Sequence, residues 1–115
     1  MEKFVVGDVV VVSFPFSDLS GHKRRPAIVL ATVEFGNHIL CQITSKPYTS
    51  KRAILLLKTN FALGSLPINS YARPDKLFTA DPGIIQKRAG KLNSITRNKV
   101  LSHVQALFSI GKEKK

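Results

Sequence analysis

Residues 23–44 read KRRPAIVLATVEFGNHILCQIT. Two apolar runs, AIVLATV at 27–33 and HILCQIT at 38–44, flank the four residues EFGN. β-Branched side chains in both runs favour extended backbone. Gly36 and Asn37 are turn residues, so the stretch predicts a β-hairpin with its turn over 34–37. Ahead of it, Lys23, Arg24 and Arg25 stand in a row before Pro26. Like charges repel, and a core strand needs none at its mouth. Two explanations stand side by side: a solvated loop that is basic, or a phosphate-binding site held on a rigid element.

Working outward, GDVVVVSF (7–14) is a β-branched run after a Gly-Asp turn and predicts a first strand. Residues 15–26, with two prolines, a glycine and the cations, predict a long loop. SKPYTSK (45–51) predicts a second basic loop, and RAILLL (52–57) a fourth strand. Residues 58–67 look irregular. NSYARPDK (69–76) predicts a short strand ended by Pro74, and an edge strand is expected around 84–91. From Asn93 the pattern turns helical, capped by Asn93 or Ser94 and ended by Gly111. Ile95, Val100, Val104, Leu107 and Phe108 fall on one face of that helix. Five or six short strands and one helix make a small, strongly bent β-barrel, closed to limit exposed edges. A single domain over 1–111 is expected, with 112–115 as a basic disordered tail.

The 115 residues carry 18 Lys and Arg against 7 Asp and Glu, a formal charge of +11. Such a surface concentrates polyanions, pointing to nucleic acid or an acidic protein as partner. The cations do not gather on one amphipathic helix, as a membrane-surface protein would have them, and no run of about 18 apolar residues exists. One cysteine, Cys41, forms no intramolecular disulfide and fits a reducing cytoplasm. On its strand it reads as a small buried apolar filler. The start of the chain lacks a signal-peptide cleavage pattern. His22, His38 and His103 show no paired spacing, the carboxylates are scattered, and neither a P-loop nor a G-x-S-x-G elbow is present. No metal and no cofactor are expected.

The arginines remain. Pro26 restricts Arg25 to extended geometry, making it the best-held cation of the three. An arginine offers phosphate a planar, permanently charged fork. If the hairpin turn centres between residues 35 and 36, Arg25 lies opposite the neighbourhood of Thr44 and Ser45. A guanidinium and a hydroxyl then converge, as gripping a phosphodiester requires. Thr44 as an ordinary strand residue, and Lys23 and Arg24 as a solvated face, are the plainer alternatives.

The stretch GDVVVVSFPFSDLSGHKRRPAIVLA, the segment CQIT, and SYARPDKLF followed by GKL resemble the MazF/PemK-like toxins along nearly the whole chain. That family opens with a Gly-Asp strand, a loop, and an Arg-Pro that starts the second strand. The resemblance implies an SH3-like bent β-barrel of five to seven strands plus a C-terminal helix, and a homodimer restrained by a cognate, acidic antitoxin. The implied activity is metal-independent cleavage of single-stranded RNA, mRNA in particular, by attack of a 2′-hydroxyl on the adjacent phosphorus. Residue by residue, Arg25 and Thr44 match the family's catalytic pair, and Gly7 and Asp8 its strand-1 start. The loop over roughly 15–24 would cover the substrate. His22, Lys23, Arg24, Ser45, Lys46 and Lys51 form the expected RNA-binding set.

A guanidinium is a poor base, yet the 2′-hydroxyl proton needs an acceptor. His22 stands where many relatives carry serine, and is a candidate. Two rival functions share the fold: a non-catalytic nucleic-acid-binding barrel, and a toxin that poisons gyrase. Fold does not separate them; the basic surface and the Arg-Pro placement favour RNA.

Overall fold

The computed structural model describes residues 3–14, 23–46 and 50–109, with Phe14 described in its backbone only. The strands are β1 (Asp8–Phe14), β2 (Lys23–Thr32), β3 (His38–Thr44), β4 (Ile54–Leu56), β5 (Phe61–Gly64), β6 (Ser70–Ala80) and β7 (Ile85–Leu92). Among the described residues one α-helix, α1 (Ser94–Ala106), follows them. The strands form one sheet in the order β4-β6-β3-β2-β1-β7-β5, antiparallel throughout.

Both faces of the central strands are buried, which explains why VVVV in β1 is continuous rather than alternating. Val9 packs with Ile28, Cys41, Ile43, Ala72 and Leu92 on one face. Val10 and Val12 pack with Ala27, Val29, Leu40 and Ile85 on the other. Each fully buried Val, Leu or Ile contributes about 1.5–3 kcal/mol relative to exposure. The first cluster also takes Ile54 and Leu56 from β4, and Phe61 of β5 packs against it. Strands at opposite ends of the sheet thus share one core, so the sheet curls into a half-barrel, with α1 covering it through Val100 and Val104.

Several expected boundaries move. The strand predicted from 27 begins at Lys23, because Lys23, Arg24 and Arg25 pair with Phe14, Ser13 and Val12 of β1. Pro74 does not end β6: between Cys41–Leu77 and Gln42–Arg73 the ladder skips Pro74, Asp75 and Lys76, a bulge that absorbs the missing N–H. The stretch expected to be irregular holds β5. Gly64 there has φ 63°, and a Cβ on it would strike the Ala89 carbonyl oxygen, so β5 and β7 approach closely only because glycine is present. β7 is an inner strand between β1 and β5; β4 and β5 are the ends, and the sheet is not sealed by pairing between them. On α1 the inward stripe is Thr96, Val100 and Val104, while Ile95 and Phe108 are 80% and 69% exposed. The tail expected over 112–115 lies outside the described residues.

Candidate active site

The Gly-Asp pair that opens β1 is structural. Gly7 has φ 96°, and Arg97 packs over it so closely that a Cβ would sit 3.1 Å from the Arg97 side chain. The turn delivers Asp8 into the sheet, 1% exposed. Its carboxylate accepts from the Val5 N–H at 2.9 Å and meets Arg88 Nε at 3.1 Å and Lys91 Nζ at 3.3 Å. Arg88 also donates to the Lys3 carbonyl at 2.8 Å and lies 5.4 Å from the Phe4 ring centre. The pair therefore fastens residues 3–6 and β7 to β1.

The cations of interest lie on β2, beside the other end of β1. Side chains alternate along a strand. Val12, paired with Arg25, belongs to the second apolar cluster, so Arg25 faces that side and Arg24 the opposite one. The β2–β3 ladder ends at Ala27–Gln42. Carried two residues further, it sets Arg25 opposite Thr44, as the hairpin register predicts. Lys23 and Arg24 are exposed and Arg25 is half-buried. Because all three lie on β2, strand anchoring does not single out Arg25; its face and its burial do.

Thr44 pairs with Tyr71, and Gln42 with Arg73. Ala72, between them, faces the first cluster, so Tyr71 and Arg73 share the face of Thr44. The Thr44 hydroxyl also organises the turn after β3. Its Oγ1 accepts from the Lys46 N–H at 3.1 Å and donates to the Lys46 carbonyl at 3.3 Å. Ser45, Lys46 and Lys51 are exposed beside this end of the sheet. His22 lies outside the described residues.

Sequence reasoning passed over Arg73 and Asp75. Arg73 Nε and Nη2 donate to the two Asp75 oxygens at 3.0 and 2.9 Å, a bidentate pair at the β6 bulge. The Arg73 hydrogen bonds hold the Asp75 carboxyl below the usual carboxylate range, with a smaller contribution from Arg52. The other described carboxylates are elsewhere. Asp8 is sealed, Glu34 is in the β2–β3 turn, and Asp81 caps the turn after β6 by accepting from Gly83 N–H at 2.7 Å. The signal was legible: on a strand, residues two apart share a face, and ARPD places an arginine and an aspartate so.

The remaining candidates for chemistry are placed away from this face or buried. Cys41 is fully buried, its thiol donating to the Arg73 carbonyl at 3.2 Å, and burial pushes its pKa up to about 12. His38 is buried against Phe4 and bonded to Thr32 at 3.1 Å, and His103 bonds the Lys99 carbonyl on α1. Among the described residues, no three His, Cys, Asp or Glu side chains group closely enough to hold a metal ion. No helix among them is long and apolar enough to cross a membrane.

Residues 6–108 match the family model described as PemK-like, MazF-like toxin of type II toxin–antitoxin system. The chain belongs to this family. No curated protein sequence matches it significantly. Among solved structures, a chain of MazE–MazF from Deinococcus radiodurans superposes with a TM-score of 0.73 at 18% identity, over 95% of this chain and 98% of that one. MazF of the same organism, solved separately, gives 0.73 at 17% identity over 93% and 97%. An endoribonuclease in complex with its cognate antitoxin, from a mycobacterial species, gives 0.69 at 14% identity over the whole of both chains. At such identities the likeness is one of fold: a curled seven-stranded sheet with a C-terminal helix is the MazF-like architecture. Of the residues the resemblance singles out, Arg25 and Pro26 lie on β2 and Thr44 is the last residue of β3.

Proposed function

We propose that this toxin is a metal-independent endoribonuclease that cleaves single-stranded mRNA through attack of a 2′-hydroxyl on the adjacent phosphorus. It acts in the cytoplasm as a homodimer, and a cognate acidic antitoxin restrains it. The observation that carries the reading is the set Arg25, Thr44 and Arg73–Asp75 on one face of the sheet. Arg25 stabilises the charge that builds on the phosphoryl oxygens, and Thr44 adds a hydrogen bond to it. Asp75 is ionised at neutral pH and accepts the 2′-hydroxyl proton as the O2′–P bond forms, and the P–O5′ bond breaks with the leaving oxygen taking a proton from water. Its pairing with Arg73 makes it a weak base in the free protein. When Arg73 turns to the phosphate, that restraint falls and the carboxylate strengthens as an acceptor. Lys23, Ser45, Lys46 and Lys51, with His22, grip the RNA backbone, while Arg24, on the opposite face of β2, adds to the basic surface that draws it.

Single-turnover cleavage of end-labelled single-stranded RNA tests the reading. The parent protein should leave a 2′,3′-cyclic phosphate and a 5′-hydroxyl, with full activity in excess EDTA. Intact RNA after incubation with folded protein would overturn it.

A further inference from the structure

We infer that Tyr71 is a stacking platform for one unpaired nucleobase next to the scissile phosphate. This rests on the ribonucleolytic reading only for the position of that phosphate. The ladder sets Thr44, Tyr71 and Leu55 side by side on β3, β6 and β4. Adjacent strands sit about 4.8 Å apart, so the ring stands one strand away from the catalytic hydroxyl. The other aromatic side chains described are committed or remote. Phe4 and Phe78 pack on the second apolar cluster and Phe61 on the first. Phe35 stands in the β2–β3 turn and Phe108 follows α1. Tyr71 belongs to neither cluster and is half-buried, with Leu55 beside it 44% exposed.

The surroundings select the occupant. Arg73 follows two residues along on the same face, and Lys46, Lys51 and Arg52 rim this end of the sheet, with Asp75 the one described carboxylate here. A flat aromatic ring bordered by an aliphatic side chain and ringed by cations suits a base whose backbone is anionic. Single-stranded RNA is read by such splayed bases on aromatic side chains. A tyrosine ring offers a rigid apolar face for stacking and a polar hydroxyl at its edge.

The test is binding rather than cleavage. Uncleavable 2′-O-methyl RNA 12-mers, each with 2-aminopurine at a different position, are titrated with the parent protein, Tyr71→Phe and Tyr71→Leu. Quenching at one position is expected with the parent and with Tyr71→Phe. Tyr71→Leu should lose that quenching and bind about 5- to 100-fold more weakly, by the usual worth of one stacked base. A circular dichroism melt confirms that it is folded. Quenching that persists in folded Tyr71→Leu, or RNA bound by the parent without quenching anywhere, overturns the inference, and the ring then serves a protein partner instead. A parent protein that binds and quenches but never cuts RNA leaves Tyr71 its role and removes the nuclease.

Discussion

Two carboxylates on this sheet are each gripped by arginine, and their settings differ in what they permit. Asp8 lies under β7, 1% exposed, with Arg88, Lys91 and a backbone N–H filling its oxygens. Asp75 stands at a bulge with its side chain 29% exposed, both oxygens bonded by Arg73 at 3.0 and 2.9 Å. A sealed carboxylate cannot exchange partners without breaking the fold, whereas an open one can release its arginine to an arriving phosphate. The same chemical pair is thus a clamp in one place and, on the proposed reading, exchangeable machinery in the other. The difference lies in solvent access and in the number of partners.

The sharpest test of this division is at the open end. Arg25→Lys keeps the charge and loses the planar fork. Single-turnover cleavage should fall about 100- to 1000-fold, the usual loss for one transition-state donor, while circular dichroism melts stay close to the parent's. Asp75→Asn should lower cleavage about 100-fold, the lower end of the range for a proton acceptor. Parental rates in either folded variant would return that residue to the ordinary surface charges.

The clamp should respond in the opposite way. Asp8→Ala leaves Arg88 and Lys91 facing each other without their anion and strips the Val5 N–H of its acceptor. Removing one partner of a buried pair costs about 3–5 kcal/mol, and the partly exposed cations bring the expectation to about 3. Urea unfolding measures this, and cleavage per folded molecule should be unchanged. A stable Asp8→Ala would show that the apolar clusters alone hold the turn.

How much of this division could be read in the chain differs from segment to segment. The β2–β3 hairpin was legible because a β-branched run, Gly-Asn and a second run leave one register, and that register sets Arg25 opposite Thr44. The start of β2 was not. Three cations after a Pro- and Gly-rich stretch follow loop rules, and only their pairing with Phe14, Ser13 and Val12 makes them strand. β5 was hidden because a four-residue strand ending in glycine carries almost no periodic signal. Ending β6 at Pro74 had the largest consequence for the site. It severed Arg73 from Asp75, and with them the second half of the constellation, because a three-residue bulge is a property of the partner strand as much as of the sequence. The helix shows tertiary context overriding pattern: Thr96 is buried by its bond from Asn60 Nδ2 at 3.0 Å, while the more apolar Ile95 stays outside.

Thr44 belongs to both worlds, since its hydroxyl closes a local turn and, on the proposed reading, also binds the phosphate. Thr44→Val should reduce cleavage about 10-fold, roughly the net worth of one hydrogen bond. It should also loosen the turn at Lys46, seen as faster amide exchange there. Thr44→Ser retains the hydroxyl and should restore both. If Thr44→Ser restores the turn and not the rate, the residue is structural and the reacting face loses its second donor.

The open pair should do little for the fold. Asp75 has its pKa depressed, first by the Arg73 hydrogen bonds. A depressed folded-state pKa means the unfolded chain binds the proton more readily. The pair's contribution is therefore fully present above the ordinary carboxylate range and is lost as pH falls through the lowered value. Solvent reaches the Asp75 carboxylate, 29% exposed, and screens the pair from that side, so the contribution at neutral pH should be about 1 kcal/mol. Urea unfolding of the parent and of Asp75→Asn, from pH 7 down to pH 3, should show a small gap at neutrality that closes as the pH drops below the ordinary carboxylate range. Asp8→Ala, in the same series, should stay well below the parent at neutral pH. An Asp75→Asn gap as large as that of Asp8→Ala would mean that Arg73 is not free to leave its aspartate, and that the site is a second clamp.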